Sequence, residues 1–110
     1  MTHALVLLES PYAGDVERNL TYLRRALRDS LLCGEAPFAS HGLYTQPGVL
    51  DDNVPAQRKL GIEAGQAWGR YAEYTVVYVD YGISQGMQYG IDRARDAGQW
   101  VDLRKIGENP

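Results

Sequence analysis

Two short runs constrain this chain most. ALVLLE (Ala4–Glu9) and TVVYV (Thr75–Val79) are nearly continuous in apolar or β-branched residues, where a strand with one wet face would alternate. Such runs suit strands covered on both faces, and in a parallel sheet helical crossovers supply that cover. A helical pattern follows the first run. Val16, Leu20, Leu23, Leu27 and Leu31 recur at helical spacing, while Arg18, Arg24, Arg25, Arg28 and Asp29 mostly fill the opposite face. Asp15 or Gly14 can cap this helix, and Gly34 stops it after Cys33.

The remaining elements continue the alternation. APFAS (Ala36–Ser40) is a second, weaker strand. The segment HGLYTQPGVLDDN (41–53) has no periodicity and is long for a connection, as lids and binding loops are. Asp52 or Asn53 can cap the next helix, with Pro55 in its first turn and an end near Ala72. A last helix runs from about Ser84 to Ala97, stopped by Gly98. WVDLRKI (Trp100–Ile106) is a last strand, and GENP reads as a frayed tail.

The order β-α-β-α-β-α-β gives an α/β fold: a small, open, mostly parallel, Rossmann-like sheet with helices on both faces. At 110 residues the chain (1–110) suffices for a single domain. With strand order 2-1-3-4, the switch point lies between strands one and three, and a ligand sits outside their carboxyl ends. The loops SPYAGD and DYGISQGM should meet there.

Composition excludes several partners. The net charge is −3 with the signs mixed and no Lys/Arg-rich run, which argues against duplex nucleic acid. The apolar run Ala4–Leu8 is too short for a signal peptide, and no segment is long enough to span a membrane, so the expected location is the cytoplasm. One cysteine, Cys33, cannot form an internal disulfide and reads as a small apolar residue. Two histidines without HxxxH or CxxC spacing support no metal site, and no cofactor is expected.

The candidate ligand-binding residues follow from the loops. Glu9, Ser10 and Tyr12 lie at the first strand end; Tyr12 can stack on a base or fill a surface groove. His41 and Tyr44 lie in the long loop, where His41 can touch a ligand or bond a loop carbonyl; His3, near the terminus, is expected to be inert. Asp80 ends the third strand, where its carboxylate can accept bonds from ribose hydroxyls or an amine, or cap the turn. Gly82, Ser84, Gly86 and Met87 form the turn into the last helix, where backbone N–H groups can face an anion. The Lys-Ser/Thr ending of a P-loop is absent. Gly61, Gly65 and Gly69 recur every fourth residue, so something approaches closely: the sheet, a second subunit or a ligand. Glu63 on that helix is either a second acid or a solvated one.

LVLLESPYAGDVERN, AWGRYAEYTVVYVD and GISQGMQYGIDRARDAGQWV together resemble the nucleoside 2-deoxyribosyltransferase-like superfamily, and in particular small phage-type members similar to nucleotide N-glycosidases. The resemblance covers nearly the whole chain. It implies a nucleotide-like ligand and a homodimer or higher homo-oligomer, with Trp68, Tyr71 and Tyr74 offering an apolar contact surface. It also implies a glutamate early in the last helix and an aspartate on the preceding one, yet the matching positions are Gly90 and Gly65. Glycosidic cleavage needs a carboxylate near the sugar. The implied activity is therefore non-catalytic: a phage anti-defence sponge in the host cytoplasm, sequestering a nucleotide immune signal such as a cyclic ADP-ribose isomer or a cyclic oligonucleotide. The alternatives are a deoxyribosyltransferase or N-glycosidase-type enzyme using Asp80 with Glu63 or Glu9, and a structural or partner-binding module.

Overall fold

The computed structural model describes residues 3–107. The expectation of a frayed tail falls largely on 108–110, which lie outside them. Four strands, β1 (Ala4–Glu9), β2 (Glu35–Phe38), β3 (Tyr74–Tyr78) and β4 (Trp100–Arg104), form one fully parallel sheet in the order β2-β1-β3-β4. The helices are α1 (Val16–Leu32), α2 (Ser40–Leu43), α3 (Pro55–Gly69) and α4 (Gln85–Asp96). The fold class is the expected one: an open Rossmann-like α/β sheet with its switch point between β1 and β3.

Side-chain alternation along the strands sorts the core into two layers. Val6, Leu8, Val76 and Tyr78 pack with Tyr22, Leu23 and Ala26 of α1. Val77 packs on the other face with Met87 and Ile91 of α4. Leu7 is on that same face, where its Cδ1 reaches within 3.0 Å of a Cβ built on Gly69 of α3. Each such apolar side chain, once fully buried, contributes about 1.5–3 kcal/mol.

Capping follows the sequence at two helices. Asp15 accepts from the Arg18 amide at the start of α1, and Ser84 accepts from the Met87 amide at the start of α4. Gly34 (φ +82°) and Gly98 (φ +70°) take the left-handed conformation after α1 and α4. Three local expectations need correction. The segment after β2 is not all loop, because Ser40–Leu43 forms the short helix α2. Neither Asp52 nor Asn53 caps α3; the N-cap is Val54, and Asp51 instead accepts from the Asn53 amide at 2.9 Å. Cys33 is an exposed C-cap rather than a packed apolar residue.

The glycine stripe of α3 is an intrachain packing surface. A Cβ on Gly61 would press on Leu50, one on Gly65 would stand 2.5 Å from Ser40 Oγ, and one on Gly69 would stand 2.8 Å from the Arg93 guanidinium. The absent side chains let α3 lie close to α2, to the preceding loop and to α4.

A polar cluster ties distant strands together. Arg104 on β4 donates twice to Glu35 on β2, at 2.6 and 2.8 Å, and once to Asp102 at 2.7 Å. Tyr74 and Ser30 also donate to Glu35. Burial alone would raise the Glu35 carboxyl, but the donors from Arg104, Tyr74 and Ser30 outweigh it and hold the group below its ordinary range. No helix among the described residues is long and apolar enough to cross a membrane.

Candidate functional site

A cavity of about 220 Å³ opens at the carboxyl ends of β1 and β3, between α3, α4 and the loop after β1. Seven of the residues expected from the sequence line it: Glu9, Ser10, Tyr12, His41, Ser84, Gly86 and Met87. Leu7, Phe38, Ile62 and Tyr89 supply apolar and aromatic wall, and Arg58, Gln66, Arg93 and Asp52 add polar groups.

Glu9 enters the cavity because of parity. It stands two residues beyond Leu7 and so points to the face covered by α3 and α4. Its carboxyl occupies the space beside Gly90 on α4: a Cβ built there would stand 2.5 Å from Glu9 Cδ. Burial pushes the Glu9 carboxyl up to about 8, and the nearby Arg93 guanidinium pulls it only part of the way back. Glu9 is therefore a neutral acid at pH 7. Arg93 does not pair with it; its Nη2 donates instead to Thr75 Oγ1 at 3.2 Å and Gln99 Oε1 at 3.3 Å.

His41 sits on α2 at the cavity wall and shares a hydrogen bond of 2.7 Å with Ser10 Oγ. Burial pushes its imidazole down to about 4, so it is neutral at pH 7 and can act as donor or acceptor but not as a cation. Across the opening, α4 begins at Ser84 with Gln85 and Gly86 in its first turn. Arg58 reaches over this turn: its Nη2 would be 3.8 Å from a Cβ on Gly86. Arg58 also lies 3.9 Å from Asp52.

Four expected residues lie elsewhere. Asp80 is on the opposite side of the sheet, two residues beyond Tyr78, whose face is covered by α1. There its carboxylate accepts from Tyr22 Oη at 2.5 Å, from the Ile106 amide at 2.9 Å and from the Gly107 amide at 2.9 Å. Burial pushes Asp80 up, but these three donors outweigh it and hold it below its ordinary value. Asp80 clamps the chain after β4 and does not line the cavity. Glu63 is solvated and lies 3.8 Å from Lys59, one turn away. Tyr44 accepts from Trp68 Nε1 at 3.0 Å and packs edge-on against Phe38. Gly82 makes the turn at φ +83°, with its amide donating to the Val79 carbonyl.

Residues 4–104 match the family described as a domain of unknown function, DUF7768. This chain belongs to that family. Among solved structures, a 2-deoxyribosyltransferase from the psychrotolerant bacterium Bacillus psychrosaccharolyticus is similar to the DUF7768 chain. Its TM-score is 0.65 at 17% identity, covering 97% of this chain and 76% of that one. At that identity the likeness is one of fold, and it is the nucleoside deoxyribosyltransferase-like fold. No curated protein matches the chain.

Sequence reasoning missed Arg58, Gln66, Tyr89 and Arg93 in this DUF7768 site. All four sit in the interior of α3 and α4, away from the loops on which the candidate residues were sought. A signal existed for Arg93, which falls three residues after Gly90 and so lies over the same stretch of the sheet. Among the described residues no cluster of three His, Cys, Asp or Glu could hold a metal ion.

Proposed function

We propose that this cavity binds a nucleoside- or nucleotide-derived small molecule and holds it intact. The observation that carries the reading is the Glu9 carboxyl, which stands in the switch-point cavity without a hydrogen-bond partner of its own. Its oxygens open onto the cavity, where a ligand can pair with them in place of solvent. The volume of about 220 Å³ lies below the roughly 300–1,000 Å³ of sites for drug-sized ligands, which favours a mononucleoside or mononucleotide over a cyclic oligonucleotide. Arg58 beside the N-terminus of α4 supports a phosphate at that end.

Binding without turnover is supported by the placement of the carboxyls. Glycosidic hydrolysis commonly uses two carboxyl groups across the bond. Here the cavity holds Glu9 at the end of β1 and Asp52, 3.9 Å from Arg58, and neither stands at position 90 or 65, where the resemblance puts the catalytic pair. Such a protein would act by withholding its ligand, as a phage-encoded sponge against a nucleotide immune signal does. A homodimer formed over the exposed Trp68 and Tyr71 belongs to the same proposal, and sedimentation velocity at micromolar concentration tests it.

One observation favours a second reading, an N-glycosidase or deoxyribosyltransferase-type enzyme. The resemblance assigns a glutamate to position 90, and in this chain Glu9 fills the space beside Gly90 from the opposite wall. A carboxyl would then be present although its expected position is glycine. Incubation with nucleosides and nucleotides, followed by denaturation and mass spectrometry, separates the two. Intact ligand and a raised Tm are expected; a free base or cleaved sugar would establish the enzyme instead.

A further inference from the structure

Glu9 has a seat but no partner. Gly90 provides the seat, because any larger residue at that position would overlap the carboxyl. Neither Arg93 nor any other described group satisfies the oxygens, which open onto the cavity. We propose that Glu9 is the specificity-determining residue, and that its carboxylic acid pairs with a ligand edge carrying a hydrogen-bond acceptor beside an N–H donor. Such an edge is the amidine or lactam side of a nitrogen heterocycle. This assignment deepens the binding reading above and rests on it.

The chemistry follows from the state of the group. A protonated carboxyl offers one O–H donor beside one C=O acceptor. An amidine or lactam edge answers both with two parallel hydrogen bonds. An ionised carboxylate only accepts, so it would select paired donors or an ammonium instead. Burial keeps Glu9 in the acid form up to about pH 8, so the donor–acceptor pair is what a ligand meets at neutral pH.

Other charged or titratable groups face this cavity: Arg93 and Tyr89 from α4, His41 from α2, Arg58 from α3, and Tyr12 and Asp52 from the loops. All of them are retained in Glu9→Gln. That variant keeps a donor beside an acceptor but does not titrate, so its difference from the wild type isolates Glu9.

The test is calorimetric titration with adenosine and cytidine, both bearing an amidine edge, and with their 5′-monophosphates. Purine riboside, which lacks the amino donor of adenosine, is the control. The wild type is expected to bind at least one amidine ligand, and purine riboside more than tenfold less tightly. Its affinity should fall about 30-fold between about pH 7 and about pH 9.5, as the acid ionises with a midpoint near 8. Glu9→Gln should bind with no such fall, and Glu9→Ala weakly throughout. A wild-type affinity that is flat or rises with pH overturns the assignment while leaving nucleoside binding intact. A Glu9→Gln profile with the wild-type slope does the same. Failure of every probe to bind at any pH overturns both.

Discussion

The acid at Glu9 should make the stability of this protein fall as pH rises, and Glu9→Gln should remove that fall. The ordinary value of a glutamate is 4.5, and in the folded chain Glu9 titrates near 8. Between those values the folded state keeps a proton that the unfolded chain has released. The contribution of Glu9 is thus fully present below about pH 4.5 and lost as pH rises to about 8. The gap of about 3.5 units, at about 1.4 kcal/mol each, sets a ceiling of about 5 kcal/mol. Water entering the cavity beside the ionised group lowers this, and a measured difference of roughly 2–4 kcal/mol is expected. The assay is urea unfolding of both proteins at steps from about pH 4 to about pH 9.5. The stability difference, variant minus wild type, should grow steadily across the window and then level off. Glu35 and Asp80, both held below their ordinary values, slope the opposite way, but they do so in both proteins and cancel in the difference. Parallel curves for the two proteins would refute the reasoning.

Gly90→Ala places a methyl group where the Glu9 carboxyl stands. The helix gains about 1 kcal/mol and the flexible end of Glu9 swings aside, so stability should change by less than about 1 kcal/mol. The Glu9 titration, followed by carbon NMR of its carboxyl, should move down towards the ordinary value, and an unmoved midpoint would count against the seat. Asp80→Ala leaves the Tyr22 hydroxyl and the amides of Ile106 and Gly107 without their acceptor. A loss of about 2–4 kcal/mol in chemical denaturation is expected, with ligand affinity in the folded protein unchanged. A weakened affinity at full stability would return Asp80 to the ligand.

Much of the fold was legible because two signals agree in this chain. Near-continuous apolar runs mark the doubly covered strands β1 and β3, and the leucine stripe of α1 has a clear helical period. Parallel crossovers leave more than one strand order open, and the order 2-1-3-4 taken for the switch point is the one the sheet has. The site was legible by loop and only partly by face. Glu9 ends β1 and Asp80 follows β3 by two residues, but alternation sends them to opposite sides: Glu9 shares parity with Leu7, and Asp80 with Tyr78. That parity is written in the sequence. What was not legible is the mutual fit of distant residues. Gly90 reads in isolation as the loss of a side chain, and nothing local says that a carboxyl 81 positions earlier takes up the room. The same holds for Gly65 and Ser40.

The bond between Arg104 and Glu35 joins residues 69 positions apart and has a bearing on how the chain is made. Glu35 opens the second strand and leaves the ribosome early, whereas Arg104 closes the fourth and leaves late. Until Arg104 arrives, the first three strands can assemble only around a carboxylate that lacks its guanidinium. Removing one partner of a buried ion pair costs about 3–5 kcal/mol, a large share of the stability of a domain this small, and the Tyr74 and Ser30 hydroxyls already in place offset only part of it. A nascent chain stopped short of residue 104 would therefore hold its sheet loosely. The fold would lock in one late step, when the last strand delivers its arginine.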